Sequence, residues 1–125
     1  MNVVDSPGWL EYFSGSKNAE FFAFAIEDTE HLLVPTISLY EVFKRLIQQV
    51  GTSAAQTNIG DMVAGQVVDL NDSLSLSAAQ ITIELKIPTV DSILLATAQE
   101  YGATLWTQDE HFKAIAGVKY IGKKG

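Results

Sequence analysis

Hydrophobic residues along this chain fall into short apolar runs separated by stripes of helical spacing. Val3 and Val4 form a brief run that ends at Asp5, and Ser6-Pro7 then reads as an N-cap followed by proline at the first helical position. A strand should therefore pass abruptly into a helix, leaving Asp5 at the strand's carboxyl end. Residues Ala19 to Glu27 read as helix, and Leu32-Leu33-Val34 as a second buried strand closed by Pro35. From Leu39, the apolar positions Val42, Phe43, Leu46, Ile47 and Val50 keep helical spacing until Gly51 stops the pattern. This is the clearest helix in the chain.

The second half repeats the alternation. Ala54 to Val63 reads as a weaker helix and Gln66 to Leu70 as a third strand, after which Asn71 or Asp72 caps a helix running toward Lys86. Beyond Pro88, a helix carries Val90, Ile93, Leu94, Thr97, Ala98 and Tyr101 on one side and ends at Gly102. Thr104 to Thr107 reads as a fourth strand, Asp109 as the cap of a short helix containing Phe112, and Val118 to Ile121 as a fifth strand. Strands separated by helices predict an α/β fold, a parallel sheet with helices on both faces. Ligands of such sheets gather at strand carboxyl ends where the strand order reverses. Asp5 follows the first predicted strand and Asp109 the fourth, so both would face one crevice if these strands are neighbours at the reversal.

Composition narrows the picture. With 125 residues, 47% hydrophobic content and three prolines, the chain is expected to form a single domain over residues 1–125. It has no cysteine, which excludes disulfides and thiolate metal sites and suits a cytoplasmic location. Met1 and Asn2 lead straight into Val3-Val4-Asp5, and no apolar run approaches bilayer-spanning length, so neither an export signal nor membrane association is expected. The net charge of −7 is awkward for a nucleic-acid binder but suits a cation site or a basic protein partner.

Four acids, Asp5, Glu41, Asp91 and Asp109, sit near predicted strand ends and helix starts. Each has a plain structural reading as well. Ser38-Leu39-Tyr40-Glu41 fits a capping box, and Glu41 with Arg45 fits an ion pair on a helix surface. Asp91 complements a helix dipole and Asp109 an N-cap, whereas Asp5 is left over if Ser6 does the capping. Together they form a donor set suited to hard cations such as Mg²⁺ or Mn²⁺. At about 4 Å and an effective dielectric near 20, one ionised pair repels by roughly 4 kcal/mol, so gathered acids need cations or raised pKa values.

The stretches Val3-Val4-Asp5-Ser6, Ser38-Leu39-Tyr40-Glu41, Asp91 to Ala98 and Leu105 to Phe112 resemble, in order and spacing, those of the PIN-domain nucleases. The resemblance covers essentially the whole chain and is greatest to the small VapC-type toxins of toxin-antitoxin pairs. It implies a PIN-like three-layer αβα fold with a central, mainly parallel five-stranded sheet. It also implies that Asp5, Glu41, Asp91 and Asp109 bind one or two Mg²⁺ or Mn²⁺ ions for cleavage of RNA such as tRNA or rRNA. Thr107 and Ser6 would orient these carboxylates by hydrogen bonding. A homodimer and a cognate antitoxin protein laid along the acidic groove are implied as partners.

One departure stands out: His111-Phe112 occupies the place where many relatives carry Asp-Phe, leaving an accessory acid missing and Glu110 as a weak substitute. A lone histidine beside acids in a first helical turn reads as a surface residue, and His31 in a loop suggests less, so neither is assigned to the site. Lys44, Arg45 and Lys113 fit either contacts to RNA or solvated helix faces. Phe21, Phe22 and Phe24 read as core or dimer packing. A non-toxic PIN-like module for RNA processing or protein binding is the competing function. An aspartyl phosphatase would need an acid where Pro7 stands, and a phosphoreceiver finds only a faint echo in Asp69.

Overall fold

In a computed structural model describing residues 1–124, the strands are β1 (Asn2–Val4), β2 (Leu32–Pro35), β3 (Gln66–Val68), β4 (Thr104–Thr107) and β5 (Val118–Tyr120). They form one sheet in the order β3-β2-β1-β4-β5, with every pairing parallel. Around it lie α1 (Ser6–Ser14), α2 (Ala19–Ile26), α3 (Thr36–Val50), α4 (Thr52–Val63), α5 (Asp72–Leu85) and α6 (Thr89–Glu100). The expected α/β class and five-stranded sheet are found, and the sheet is parallel throughout.

A parallel sheet covered on both faces needs strands that are apolar on both sides, which β1 and β2 are. Successive side chains alternate between faces. Val3, Leu33 and Leu105 accordingly pack with Leu74 and Ala78 of α5 and with Leu94, Leu95 and Ala98 of α6. Val4, Leu32, Val34 and Trp106 face the other way, against Trp9 of α1, Phe22 of α2, Val42 and Leu46 of α3 and Met62 of α4. Phe22 is thus a core residue, while Phe24 is 72% exposed and stacks on Trp106.

The chain runs outward from β1 through β2 to β3, then returns to lay β4 along the other side of β1, where Val4 pairs with Trp106. The strand order therefore reverses between β1 and β4, and their carboxyl ends open the crevice that such a reversal creates. The condition set by the sequence is met.

Three helix starts differ from expectation, that of α4 only by beginning at Thr52 and not Ala54. The cap of α1 is Asp5 and not Ser6, which becomes the first helical residue. Helix α3 begins at Thr36, directly from Pro35 and three residues ahead of the expected Leu39. Gly8, in the first turn of α1, shows how tightly that turn sits on the sheet: a Cβ there would lie 2.7 Å from both Val4 Cγ1 and Phe22 Cε1. Overpacking of this kind costs typically about 1–3 kcal/mol. Gly8→Ala should lower the free energy of unfolding by that amount in urea titrations. An unchanged midpoint would mean that the helix end yields without cost.

Among the described residues, no helix is long and apolar enough to cross a membrane.

Candidate metal centre

Asp5 leaves β1 with an extended backbone and turns its carboxylate back over the start of α1. Its Oδ1 accepts a 2.8 Å hydrogen bond from the Gly8 amide, and its Oδ2 accepts one from the Thr107 hydroxyl. The side chain is 2% exposed. Thr107, the last residue of β4, also accepts at Oγ1 a 2.9 Å bond from the Asp109 amide. One hydroxyl thus links the acid after β1 to the acid after β4, across the reversal of strand order.

Glu41 lies in the second turn of α3, half-buried, and its Oε1 accepts a 2.6 Å hydrogen bond from Ser6 Oγ. The capping-box reading is overturned. Because α3 starts at Thr36, Ser38 is an interior helical residue, fully buried, and Glu41 lies beyond the amides that a cap would reach. Ser6 is free to hold Glu41 because Asp5 has taken the capping role.

Asp91 projects from the first turn of α6, and Asp109 caps the single 3₁₀ turn Glu110–Phe112 by accepting at Oδ1 a 2.9 Å bond from the His111 amide. Both are half-buried. The imidazole of His111 folds back over the same acid, with Nδ1 3.2 Å from Asp109 Oδ1. One ligand atom each from Asp91, Asp109 and His111 lies within 4.8 Å of the others. Asp5 and Glu41 fall outside this closest group, with their carboxylates tied to Thr107, Gly8 and Ser6.

The four acids nonetheless share one electrostatic field. Burial pushes the Asp5 carboxyl up to about 7, against hydrogen bonds from Thr107 and Gly8 that favour the charged form, and Asp91 and Asp109 push it further up. Burial likewise raises Asp91 to about 6, with Asp109 and Glu41 raising it and His111 opposing them. Among the described residues, no Lys or Arg forms an ion pair with any of the four. A crevice of carboxylates in which burial pushes Asp5 and Asp91 up, with no Lys or Arg paired to it among the described residues, is a donor set that a divalent cation fits.

His111 is the residue that reading the sequence left out. The faint signal was its place two residues beyond Asp109, where a tight turn returns a side chain over its own cap. The contact with Asp91 on α6 was invisible locally.

A groove of about 320 Å³ runs from Ser6 and Glu41 along Lys44, Arg45 and Gln48 of α3. The two basic residues therefore border Glu41. Lys113 lies instead over the Tyr120 ring, 5.7 Å from its centroid.

The PIN-domain family profile matches residues 3–118. No curated protein is similar enough to match. Among solved structures, the toxin-antitoxin complex from Klebsiella pneumoniae aligns at a TM-score of 0.80 and 21% identity, over 95% of this chain and 96% of that one. VapC20 from Mycobacterium tuberculosis, a sarcin-ricin loop cleaving toxin, aligns at 0.77 and 17% identity, over 94% of this chain and 97% of that one. VapBC2 from Rickettsia felis, bound to a DNA fragment from their promoter, aligns at 0.74 and 13% identity, over 97% of each chain. At such identities the likeness speaks for the fold.

Proposed function

The chain belongs to the PIN-domain family, and from that membership we propose that it is a divalent-metal-dependent endoribonuclease, the toxin of a toxin-antitoxin pair. The observation that carries this reading is that, where the strand order reverses, Asp91 and Asp109 raise the buried Asp5, and Asp109 and Glu41 raise Asp91. When bound, Mg²⁺ or Mn²⁺ supplies charge neutralisation and activation of water for phosphodiester hydrolysis. No side-chain nucleophile is needed.

The chain's own part is to hold ligands and substrate. Asp5, Glu41, Asp91 and Asp109 would bind one or two ions. Thr107 and the Gly8 amide fix the Asp5 carboxylate, and Ser6 fixes Glu41. Arg45 and Lys44, bordering Glu41, would hold phosphates of the RNA backbone against the acidic edge. The sarcin-ricin loop cleaved by the Mycobacterium tuberculosis neighbour makes ribosomal RNA the first substrate to try, with tRNA beside it. An antitoxin with a basic segment suits the net charge of −7, as do the complexes in which neighbours are found. A homodimer acting in the cytoplasm as a single domain over residues 1–125 completes the proposal.

The test is incubation of the purified chain with rRNA and tRNA in Mn²⁺, Mg²⁺ or chelator. Defined fragments are expected with a cation and none with chelator, and intact RNA in both cations would end the nuclease reading. Ser6→Ala gives a finer test. Loss of a residue that orients a metal ligand weakens affinity about 10–100-fold. Calorimetric titration with Mn²⁺ should show a loss in that range, and parent-like affinity would remove Glu41 from the centre.

A further inference from the structure

We infer that His111 is itself a metal ligand, so that the centre formed with Asp91 and Asp109 is a mixed nitrogen and oxygen site selective for borderline cations such as Co²⁺ and Zn²⁺ over Mg²⁺. The inference rests on the reading of the acids as a metal centre and assigns that centre a chemistry which an all-carboxylate set would not have.

The geometry comes first. Donor atoms around one small cation, each at about 2.1 Å, lie roughly 3 to 4 Å apart. The ligand atoms of Asp91, Asp109 and His111 already fall within 4.8 Å of one another, so modest side-chain rotation closes the set. The backbone beneath the ring is also fixed. The His111 amide donates to Asp109 Oδ1, so the 3₁₀ turn that presents the carboxylate presents the imidazole with it. A ring nitrogen also lies within 4.8 Å of a carboxylate oxygen of Asp91, which belongs to a different element, so the imidazole is within reach of both acids. Beyond it opens a groove of about 460 Å³ bordered by Gln108, Glu110, Tyr120 and Lys123, which leaves room for ion and substrate to approach.

Chemistry then sets the preference. Carboxylates suit Mg²⁺, Ca²⁺ and Mn²⁺, whereas imidazole suits zinc, iron, nickel and copper and adds little for a hard cation that keeps its water. One nitrogen among oxygens therefore shifts selectivity toward the later first-row metals. His31 provides a built-in contrast. Its Nδ1 lies 3.0 Å from Asp28 Oδ1, a similar ring-to-carboxylate contact, but at the amino end of β2 and, among the described residues, in no group of three such ligands.

The experiment is calorimetric titration of the full chain with Co²⁺ and, separately, Mg²⁺, at a pH of about 7.5, above the usual imidazole value of about 6.5. Parent, His111→Asp, His111→Ala and His31→Ala are compared. The His111 side chain is 65% exposed, so these substitutions should leave the thermal melt unchanged. In His111→Asp and His111→Ala, Co²⁺ affinity relative to Mg²⁺ should fall at least about tenfold, the least expected on losing even a group that supports a ligand. His31→Ala should keep the parent ratio. In His111→Asp, Mg²⁺ should bind as tightly as in the parent or tighter. A ratio unchanged in both His111 variants, with binding otherwise intact, overturns the imidazole's role and leaves the nuclease reading standing. A parent that binds neither cation overturns both.

Discussion

Asp5→Asn should lower RNA cleavage by at least about a thousandfold, because a metal centre contributes several kcal/mol of charge stabilisation and each 1.4 kcal/mol or so is a factor of ten in rate. The substitution is chosen to leave the fold in place. An Asn side chain keeps an oxygen for the Gly8 amide that caps α1, and its amide group can donate to Thr107 once that hydroxyl rotates. Asp5→Ala would lose activity too, but would also forfeit the cap, which typically contributes about 1 kcal/mol. The pair of variants separates chemistry from architecture. Single-turnover cleavage of one defined RNA, alongside urea titration of each variant, supplies both readings. Asn at position 5 retaining more than a tenth of parent activity would show that the most buried acid of the crevice is not part of the reaction.

In chelator, the parent should grow less stable as pH rises from about 4 to about 7. The sign follows from Asp5, whose carboxyl is raised from 3.8 to about 7 by burial in the folded chain. Below 3.8 both folded and unfolded states hold the proton, and Asp5 contributes nothing. Between the two values the unfolded state releases its proton while the folded state keeps it, so unfolding becomes easier with each step in pH. At about 1.4 kcal/mol per pH unit, the accumulated loss is on the order of 4 kcal/mol once the pH has passed both values. Asp91, raised to about 6, acts in the same direction over a narrower window and is partly screened by solvent.

Two controls isolate the effect. Asp5→Asn should flatten the pH slope in chelator and be at least as stable as the parent at pH 8 or so, because it removes a charge the fold disfavours. Saturating Mn²⁺ should restore the parent at high pH, since a ligand bound only by the folded state stabilises by mass action. Thermal melts across the pH range, with and without cation, give the measurement. Parallel curves for parent and Asp5→Asn in chelator would mean that Asp5 ionises in the folded chain as freely as in water.

The fold was largely legible because its signals are local. Strands such as Leu32-Leu33-Val34 are apolar on both faces, and Pro35, Gly51, Pro88 and Gly102 punctuate the elements at or near their ends. The start of α3 was hidden for a physical reason. Ile37, in its first turn, packs into the core on one face of the sheet, while Val42 and Leu46 pack into the core on the other. A single apolar stripe traced back along the helix therefore stops at Leu39.

At α1, both Asp5 and Ser6 are competent caps, and the partners that distinguish them, Thr107 for Asp5 and Glu41 for Ser6, lie far along the chain. The acids themselves could be named from the sequence and their repulsion anticipated, but the burial that raises Asp5 and Asp91 could not be read there. His111 escaped for the same reason. Its importance lies in Asp91, which belongs to another helix.

Thr107 reaches Asp5 across 102 positions of chain, and that hydroxyl ties together strands from opposite ends of the sequence. Closing so long a loop carries an entropic cost that only the assembled sheet repays. While a ribosome is still making this protein, the segments bearing Asp5, Glu41 and Asp91 can emerge and begin to fold, yet the acids cannot gather before β4 follows them out. Synthesis order thus acts as a built-in delay: the crevice of acids cannot assemble until β4 has been made, however early the other segments fold.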